Sequence, residues 1–476
     1  MLTIVPRRVT QTDADVSIAA FWLDETPPTL RLHVTGQRPQ PIADWRTIPG
    51  GDAQPIFCSS LQLTDLSPNT RYELSLRDGP RELARAQLCT LPTQLPRNEH
   101  GGGSARPFTL WLSSCFGARQ SPPGLREVVQ QLFDDSHAAP HLKCLVGDQV
   151  YLDELWLFIY SALTRTQLCS RFNRQYAQTF THPGFARLLS AGANLFLPDD
   201  HELWNNFPHE PLGFPLRARA FWERWYRLAF EERYLPLQGP IAKQPLHIGR
   251  DLSLFVADMR TGRSRDGNRL MSEGGYAGVA SDAGDMDRLV RWLEQLRCPG
   301  VLITQQPLIS GRGTDADHRP PDYRQYWRRL LPALHACPQD LVVLAGDVHH
   351  GHVCSTQLQS GRRLIQVVAS PLSLVSPLAA AMPEREPRWF PAAERGEQPS
   401  PVQHHMQVPA YRAGRSLRSE EHGMTIAFWR RDDHSLGMRV QTHLVRAASD
   451  RTGPSWQTVL RGQTSTAESY DSRCST

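Results

Sequence analysis

The chain divides by the rhythm of its apolar positions. Up to residue 95 these come in short alternating or continuous runs, such as Val16–Leu23, Thr29–Val34 and Tyr72–Leu76, broken by Pro, Gly, Asp and Asn. Turn residues at that spacing punctuate short strands, so residues 1–95 are predicted to form a small all-β sandwich. Residues 96–106, with three consecutive glycines, read as a polar linker. No internal repeat is evident.

From residue 107 the pattern alternates strand-like apolar runs with helical ones, which implies α/β construction. Asp285–Arg297 places Met286, Leu289, Val290, Leu293 and Leu296 on one face before Pro299-Gly300 ends the helix. The strand-like runs stop in a recurring way. Phe108–Leu112 leads into Ser113-Ser114-Cys115, Leu142–Val146 into Gly147-Asp148, and Asn194–Leu197 into Asp199-Asp200-His201-Glu202. Leu252–Ala257 leads into Asp258-Met259-Arg260, and Leu341–Ala345 into Gly346-Asp347-Val348-His349-His350. Polar clusters at carboxyl-terminal strand ends mark the sheet edge where α/β proteins bind ligands. Further on, Thr425–Trp429 and Gly437–Thr442 flank a turn and read as a closing hairpin. Residues 379–401 read as an excursion that overhangs the site, and 447–476 as a loosely ordered polar tail.

Composition narrows the chemistry. A chain of 476 residues, 40% hydrophobic and 21% charged, has the make-up of a globular protein of two or three domains. Of its 52 basic residues only Lys143 and Lys243 are lysines, and neither follows a glycine, which excludes a phosphate-binding P-loop. A net charge of +4 is too weak for a nucleic-acid binder. Nine cysteines without a C-x-x-C pair suggest neither a disulfide framework nor a zinc ribbon. With no leader-like segment and no run of about 18 apolar residues, the expectation is a cytoplasmic protein without a membrane span.

The strand-end groups are Cys115, Asp148, Tyr151, Asp199, Asp200, His201, Asn205, Asn206, Asp347, His349 and His350. Carboxylate and amide oxygens suit hard cations, whereas imidazole and thiolate favour iron or zinc. A mixture of this kind suits two different metals, and a metal pair can generate hydroxide while neutralising phosphoryl charge.

These motifs resemble the alkaline phosphatase D-like branch of the metallophosphoesterases. The likeness rests on Ser113–Gly117, Gly147–Tyr151, Asp199–Glu202 with Asn205-Asn206, Val256–Arg260, Gln305-Gln306-Pro307 and Gly346–His349, with Arg171–Tyr176 and Arg217–Trp222 also similar. Leu63–Tyr72 separately resembles the turn and strand of fibronectin type III domains, with Tyr72 as the corner tyrosine. The resemblance implies an αββα catalytic domain over residues 107–446, in which two β-sheets are flanked by helices, preceded by a fibronectin- or immunoglobulin-like module. It implies hydrolysis of small phosphate esters, mono- or diesters, by a metal-activated hydroxide. Ferric iron would be held by Cys115, Asp148, Tyr151 and His349. Asp148 would bridge to a second cation, usually calcium in this family, with Asp200, Asp347 and Asn205 or Asn206 as its further ligands. Pro198 stands where the family commonly has an aromatic residue, and in a cytoplasmic member magnesium or manganese could replace calcium. His201 would act as the catalytic histidine. Arg260 divides between holding a phosphate oxygen and pairing with a carboxylate. Asp199 reads as structural, and His350 and His352 as lying outside the ligand set. A non-catalytic scaffold using the sandwich to bind a partner, and a zinc-only esterase, are the competing readings.

Overall fold

The computed structural model describes residues 1–23, 25–27, 29–97, 106–121, 124–134, 139–153, 163–208, 219–264, 269–271, 284–311, 318–373, 387–394, 396–413, 416–433, 435–446 and 451–461. Most of the expected linker, the start of the excursion at 379 and the end of the expected tail lie outside these residues.

The alternating runs at the start of the chain form two antiparallel four-stranded sheets. One is ordered Leu2–Val9, Ala14–Ala20, Ile56–Leu63, Arg46–Ile48; the other Gln40–Ile42, Leu30–Val34, Arg71–Asp78, Arg81–Cys89. The Ser67 N–H donates to the phenol oxygen of Tyr72 at 2.7 Å, which pins the corner leading into that strand.

Two larger sheets follow. The six-stranded one is ordered Ala193–Leu197, Leu142–Val146, Phe108–Ser113, His422–Arg430, Leu436–Leu444, Thr452–Leu460. Its first three strands are parallel and the rest antiparallel, with the expected hairpin joining 422–430 to 436–444. The eight-stranded sheet has four parallel strands, Leu252–Val256, Gly300–Ile303, Leu341–Ala345 and Arg363–Val368, between antiparallel ones. Every residue of the strands 108–113, 142–146, 193–197, 252–256, 300–303 and 341–345 is buried. Parallel strands are covered on both faces, so their sequence shows continuous apolar runs. Alternate residues sort by face. Leu110, Val146 and Leu197 share one apolar cluster with Leu254, Ile303 and Leu344 of the other sheet. Trp111, Leu145 and Phe196 instead pack with residues of helices Leu125–Asp134, Arg165–Phe180 and Pro183–Ser190. Phe255, Leu302 and Val343 pack with helices Asp285–Glu294 and Arg324–Ala336.

One expectation changes. Thr452–Leu460, read as part of a polar tail, is the outer strand of the six-stranded sheet. An edge strand covers the core with one face only, so its composition is close to that of a solvated segment. Lys143 lies wholly buried in the middle of a strand, where its ammonium donates to the carbonyls of Ala191 and Gly192 beyond the end of helix Pro183–Ser190. Burial pushes its pKa well down. Among the described residues no helix is long and apolar enough to cross a membrane.

The first strands are tied to the rest of the chain by buried polar groups. The Asn194 amide donates to the carbonyls of Pro6 at 2.7 Å and Leu189 at 2.8 Å. Arg233, also wholly buried, donates to Asn173 Oδ1 at 3.0 Å, Leu228 O at 2.7 Å and Pro49 O at 3.0 Å. Asn194→Ala removes both buried hydrogen bonds and is expected to cost about 1–3 kcal/mol. A urea midpoint unchanged from wild type would show that this tie carries no stability.

Candidate metal centre

Backbone conformation singles out the strand ends. Eight non-glycine residues among those described have positive φ, and five of them are Cys115 (58°), Asp148 (57°), Asn206 (62°), Asp347 (69°) and His349 (55°). The left-handed region costs an L residue on the order of 1 kcal/mol, and such residues persist only where their surroundings fix them. Cys115, Asp148, Asp347 and His349 stand within a few residues of the strands Phe108–Ser113, Leu142–Val146 and Leu341–Ala345, so the chain turns sharply as it leaves the sheet. Gly147 (φ 103°) permits one of these turns: a Cβ there would lie 2.4 Å from that of Asp199.

The turns bring the expected residues together. Ligand atoms of Cys115, Asp148 and His349 lie within 4.8 Å of one another, as do those of Asp148, Asp200 and His201, and those of Asp148, Asp199, Asp200 and Asp347. Asp148 belongs to all three groups. Its Oδ2 is 3.4 Å from Cys115 Sγ and accepts from the Tyr151 hydroxyl at 3.1 Å, and its Oδ1 accepts from the His201 N–H at 3.3 Å. The Ser370 hydroxyl donates to Cys115 Sγ at 3.2 Å. Asn206 meets Asp200 through its backbone, whose N–H donates to Asp200 Oδ2 at 2.6 Å. His350 and His352 enter none of these groups; their rings stack 4.9 Å apart beside them.

Arg260 takes the ion-pair geometry. Its guanidinium, 1% exposed, pairs with Asp199 and lies 3.8 Å from carboxylate oxygens of both Asp200 and Asp347. Asp199 is therefore a counter-ion to arginine.

Four supporting residues were not assigned from the sequence. Glu202, wholly buried, accepts from the backbone N–H groups of Asp148 (3.0 Å), Gln149, Val150 (2.9 Å) and Asp199 (2.8 Å), locking two strand-end loops together. Asp153 accepts from His201 Nδ1 at 2.7 Å and from the Asn205 N–H at 2.6 Å, while the Tyr151 ring lies 4.2 Å from that of His201. Gln306 donates to Asp347 Oδ2 at 2.8 Å and accepts from Arg263. Arg263 is fixed in turn by the Met259 carbonyl at 2.7 Å and the Tyr323 ring at 5.0 Å. Glu202 and Gln306 sit inside motifs already singled out, and Asp153 two residues past Tyr151. Arg263 carried no signal.

Burial sets the electrostatics. It pushes Cys115, Asp148, Tyr151 and Asp199 well above their ordinary pKa values, and neighbouring negative charges add to the rise. Asp200 is the exception: burial would raise it, yet Arg260 and His201 outweigh that and hold it at about 2. For His201 burial is outweighed by Asp153, Asp200 and Asp148, which keep the ring protonated. Asp199 Oδ2 and Asp200 Oδ1 are buried without a hydrogen-bond partner. Buried oxygens that lack donors, in a set of four carboxylates with a thiol and imidazole adjoining, fit the needs of bound cations.

No protein-family model matches the chain, and no curated protein matches it. Seven solved chains match in structure. Among them is one described as "Structure of PhoD", with a TM-score of 0.60 at 13% identity, covering 98% of this chain and 92% of the other. The fold is therefore a mixed α/β fold like that of PhoD.

Glu202 provides a pH test of this scaffold. Burial, opposed by its four amide bonds, raises its pKa from an ordinary 4.5 to about 7. A carboxyl whose folded pKa is raised adds stability below its unfolded pKa and loses it as pH rises through the folded value. Metal-free wild type should therefore lose about 3 kcal/mol more than Glu202→Gln between pH 4.5 and 7 in urea titrations. Parallel profiles for the two proteins would exclude Glu202 as the titrating group.

Proposed function

We propose that the protein is a metal-dependent phosphoesterase that hydrolyses phosphate monoesters or diesters at a two-metal centre. The observation that carries this reading is Asp148, one carboxylate common to a thiol–imidazole group and to an all-carboxylate group. Cys115, Tyr151, Asp148 and His349 are donors suited to ferric iron; Asp148, Asp200 and Asp347, with Asn206, suit calcium, magnesium or manganese. The likeness to PhoD supports a phosphoesterase on this fold. When bound, such a metal pair lowers the pKa of a water and neutralises charge on a phosphoryl group.

The chain's own residues supply positioning and proton transfer. Asp153 occupies His201 Nδ1 at 2.7 Å, which leaves Nε2 as the ring atom able to donate a proton to the departing oxygen. The protonated ring favoured by the surrounding carboxylates is the state that donation requires. Arg260 acts as counter-ion to Asp199, Asp200 and Asp347, organising the ligands. Gln306 fixes the Asp347 carboxylate through Oδ2. In this reading residues 1–95 are a fibronectin- or immunoglobulin-like module that buttresses an αββα catalytic domain, whose last strand extends it to residue 460.

Metal analysis together with hydrolysis of nitrophenyl phosphate and bis-nitrophenyl phosphate tests the proposal. Purified protein should carry about two metal ions per chain and show a visible band from ferric iron bound to phenolate and thiolate. Tyr151→Phe should shift or remove the band, and Asp148→Asn should lose both metal and activity. His201→Ala should keep its metals while activity falls about 10²- to 10⁴-fold. Metal-replete Asp148→Asn with full activity would overturn the reading.

A further inference from the structure

We infer a second binding site, for a small amphipathic anion, in a cavity of about 960 Å³ remote from the metal centre. The cavity lies between helix Asp285–Glu294 and the edge of the eight-stranded sheet. Arg250 and Cys298 line it and precede the strands Leu252–Val256 and Gly300–Ile303, whereas Asp258 and Gln305 follow those strands at the metal-centre end. A five-residue strand spans roughly 17 Å, so the two sites face opposite ends of the sheet. No lining residue is shared with the metal-ligand groups.

Its charge is unlike that of the rest of the chain. Lys243, Arg250, Arg288, Arg291 and Arg297 line the cavity, giving +5 with no lining carboxylate among the described residues, against +4 for the entire chain. Asp285, just outside the lining, pairs with Lys243 and Arg288. Arg250, Arg291 and Arg297 are exposed and have no carboxylate partner among the described residues. Arg288, Arg291, Trp292 and Gln295 follow helical spacing on one face, but Arg250 and Arg297 come from other segments. Cations converging from separate elements distinguish the cavity from an ordinary solvated helix face.

The floor is apolar. Phe255 and Trp292 pack with ring centroids 5.2 Å apart, Leu296 adjoins them, and the Trp292 indole N–H donates to the Ser253 hydroxyl at 2.9 Å. Guanidinium groups recognise phosphate, sulfonate or carboxylate through their planar fork, and the floor accepts a ring or alkyl body. The volume is that of a single small-molecule site, and the weak overall charge argues against an extended polyanion.

The aromatic sulfonate 8-anilinonaphthalene-1-sulfonate is a suitable probe, titrated by fluorescence against full-length protein. We expect one saturable site per chain whose Kd rises at least tenfold in the double variant Arg291→Glu/Arg297→Glu. Gln295→Trp, which places bulk at the exposed rim without changing charge, should weaken binding as much and decides the matter should the double variant not fold. His201→Ala should bind as wild type does. Neutral N-phenyl-1-naphthylamine and inorganic phosphate should each bind at least tenfold more weakly. Unchanged binding in both rim variants, equal binding of the neutral amine, equal binding of phosphate, or loss of binding in His201→Ala would each overturn the assignment. Because the metal-centre variant is a separate arm, the outcome is independent of the phosphoesterase reading.

Discussion

Four carboxylates with ligand atoms inside 4.8 Å, three of them buried, at the strand ends of two sheets cannot all be ionised without positive charge among them. Two unit charges 4 Å apart repel by about 4 kcal/mol at an effective dielectric constant of 20. The surrounding structure answers that repulsion. Arg260, itself buried, reaches three of the four carboxylates, and His201 is held protonated beside Asp148 and Asp200. Even so, Asp148 and Asp199 are pushed toward their neutral forms, while Asp200 stays ionised. The protein has placed more negative charge here than its own cations balance, which is the electrostatic condition a multivalent ion relieves.

Such an arrangement needs a rigid frame, because the residues that form it sit in costly backbone conformations. The frame is built from backbone amides. Glu202 gathers N–H groups from the loops after Leu142–Val146 and Ala193–Leu197, and Asp153 ties His201 to the amide of Asn205. Two further bonds complete it: the Gly346 N–H reaches the Gln305 carbonyl between neighbouring strands of one sheet, and the Ser114 hydroxyl reaches that of Ala369 from one sheet to the other. The left-handed turns at Cys115, Asp148, Asp347 and His349 persist because neighbouring strands dictate them.

How much of this was legible in the sequence follows from where each signal resides. Strands buried on both faces leave continuous apolar runs, and their polar exits stand out, so Cys115, Asp148, Asp200, His201, Asp347 and His349 group together from the sequence. Helix Asp285–Glu294 was equally plain, ending three residues before the sequence placed its end. Legibility failed where a side chain's partner is a backbone group far away in the chain. Glu202 serves amides up to 54 positions distant, and Lys143 caps carbonyls 48 and 49 positions on. Arg260 could not be assigned because both of its options use the same guanidinium, and only the position of Asp199 favours one. The strand Thr452–Leu460 was missed because its outward residues obey the same rule as an unstructured tail.

The tie between Asn194 and Pro6 bears on where this chain can be divided. Asn194 stands near the start of the strand Ala193–Leu197, and its amide is shared between the carbonyl of Leu189 and one from the first strand of the chain. The Gly192 N–H is likewise satisfied by Gln87, and Arg71 donates to Phe133. Removing the first ninety residues would take the Pro6 and Gln87 carbonyls and the Arg71 guanidinium out of these bonds. A fragment cut at the glycine-rich segment would therefore open hydrogen bonds at the amino-terminal end of the strand whose other end leads into the acidic loop, so the β-rich leading segment supports that strand and is not a detachable passenger.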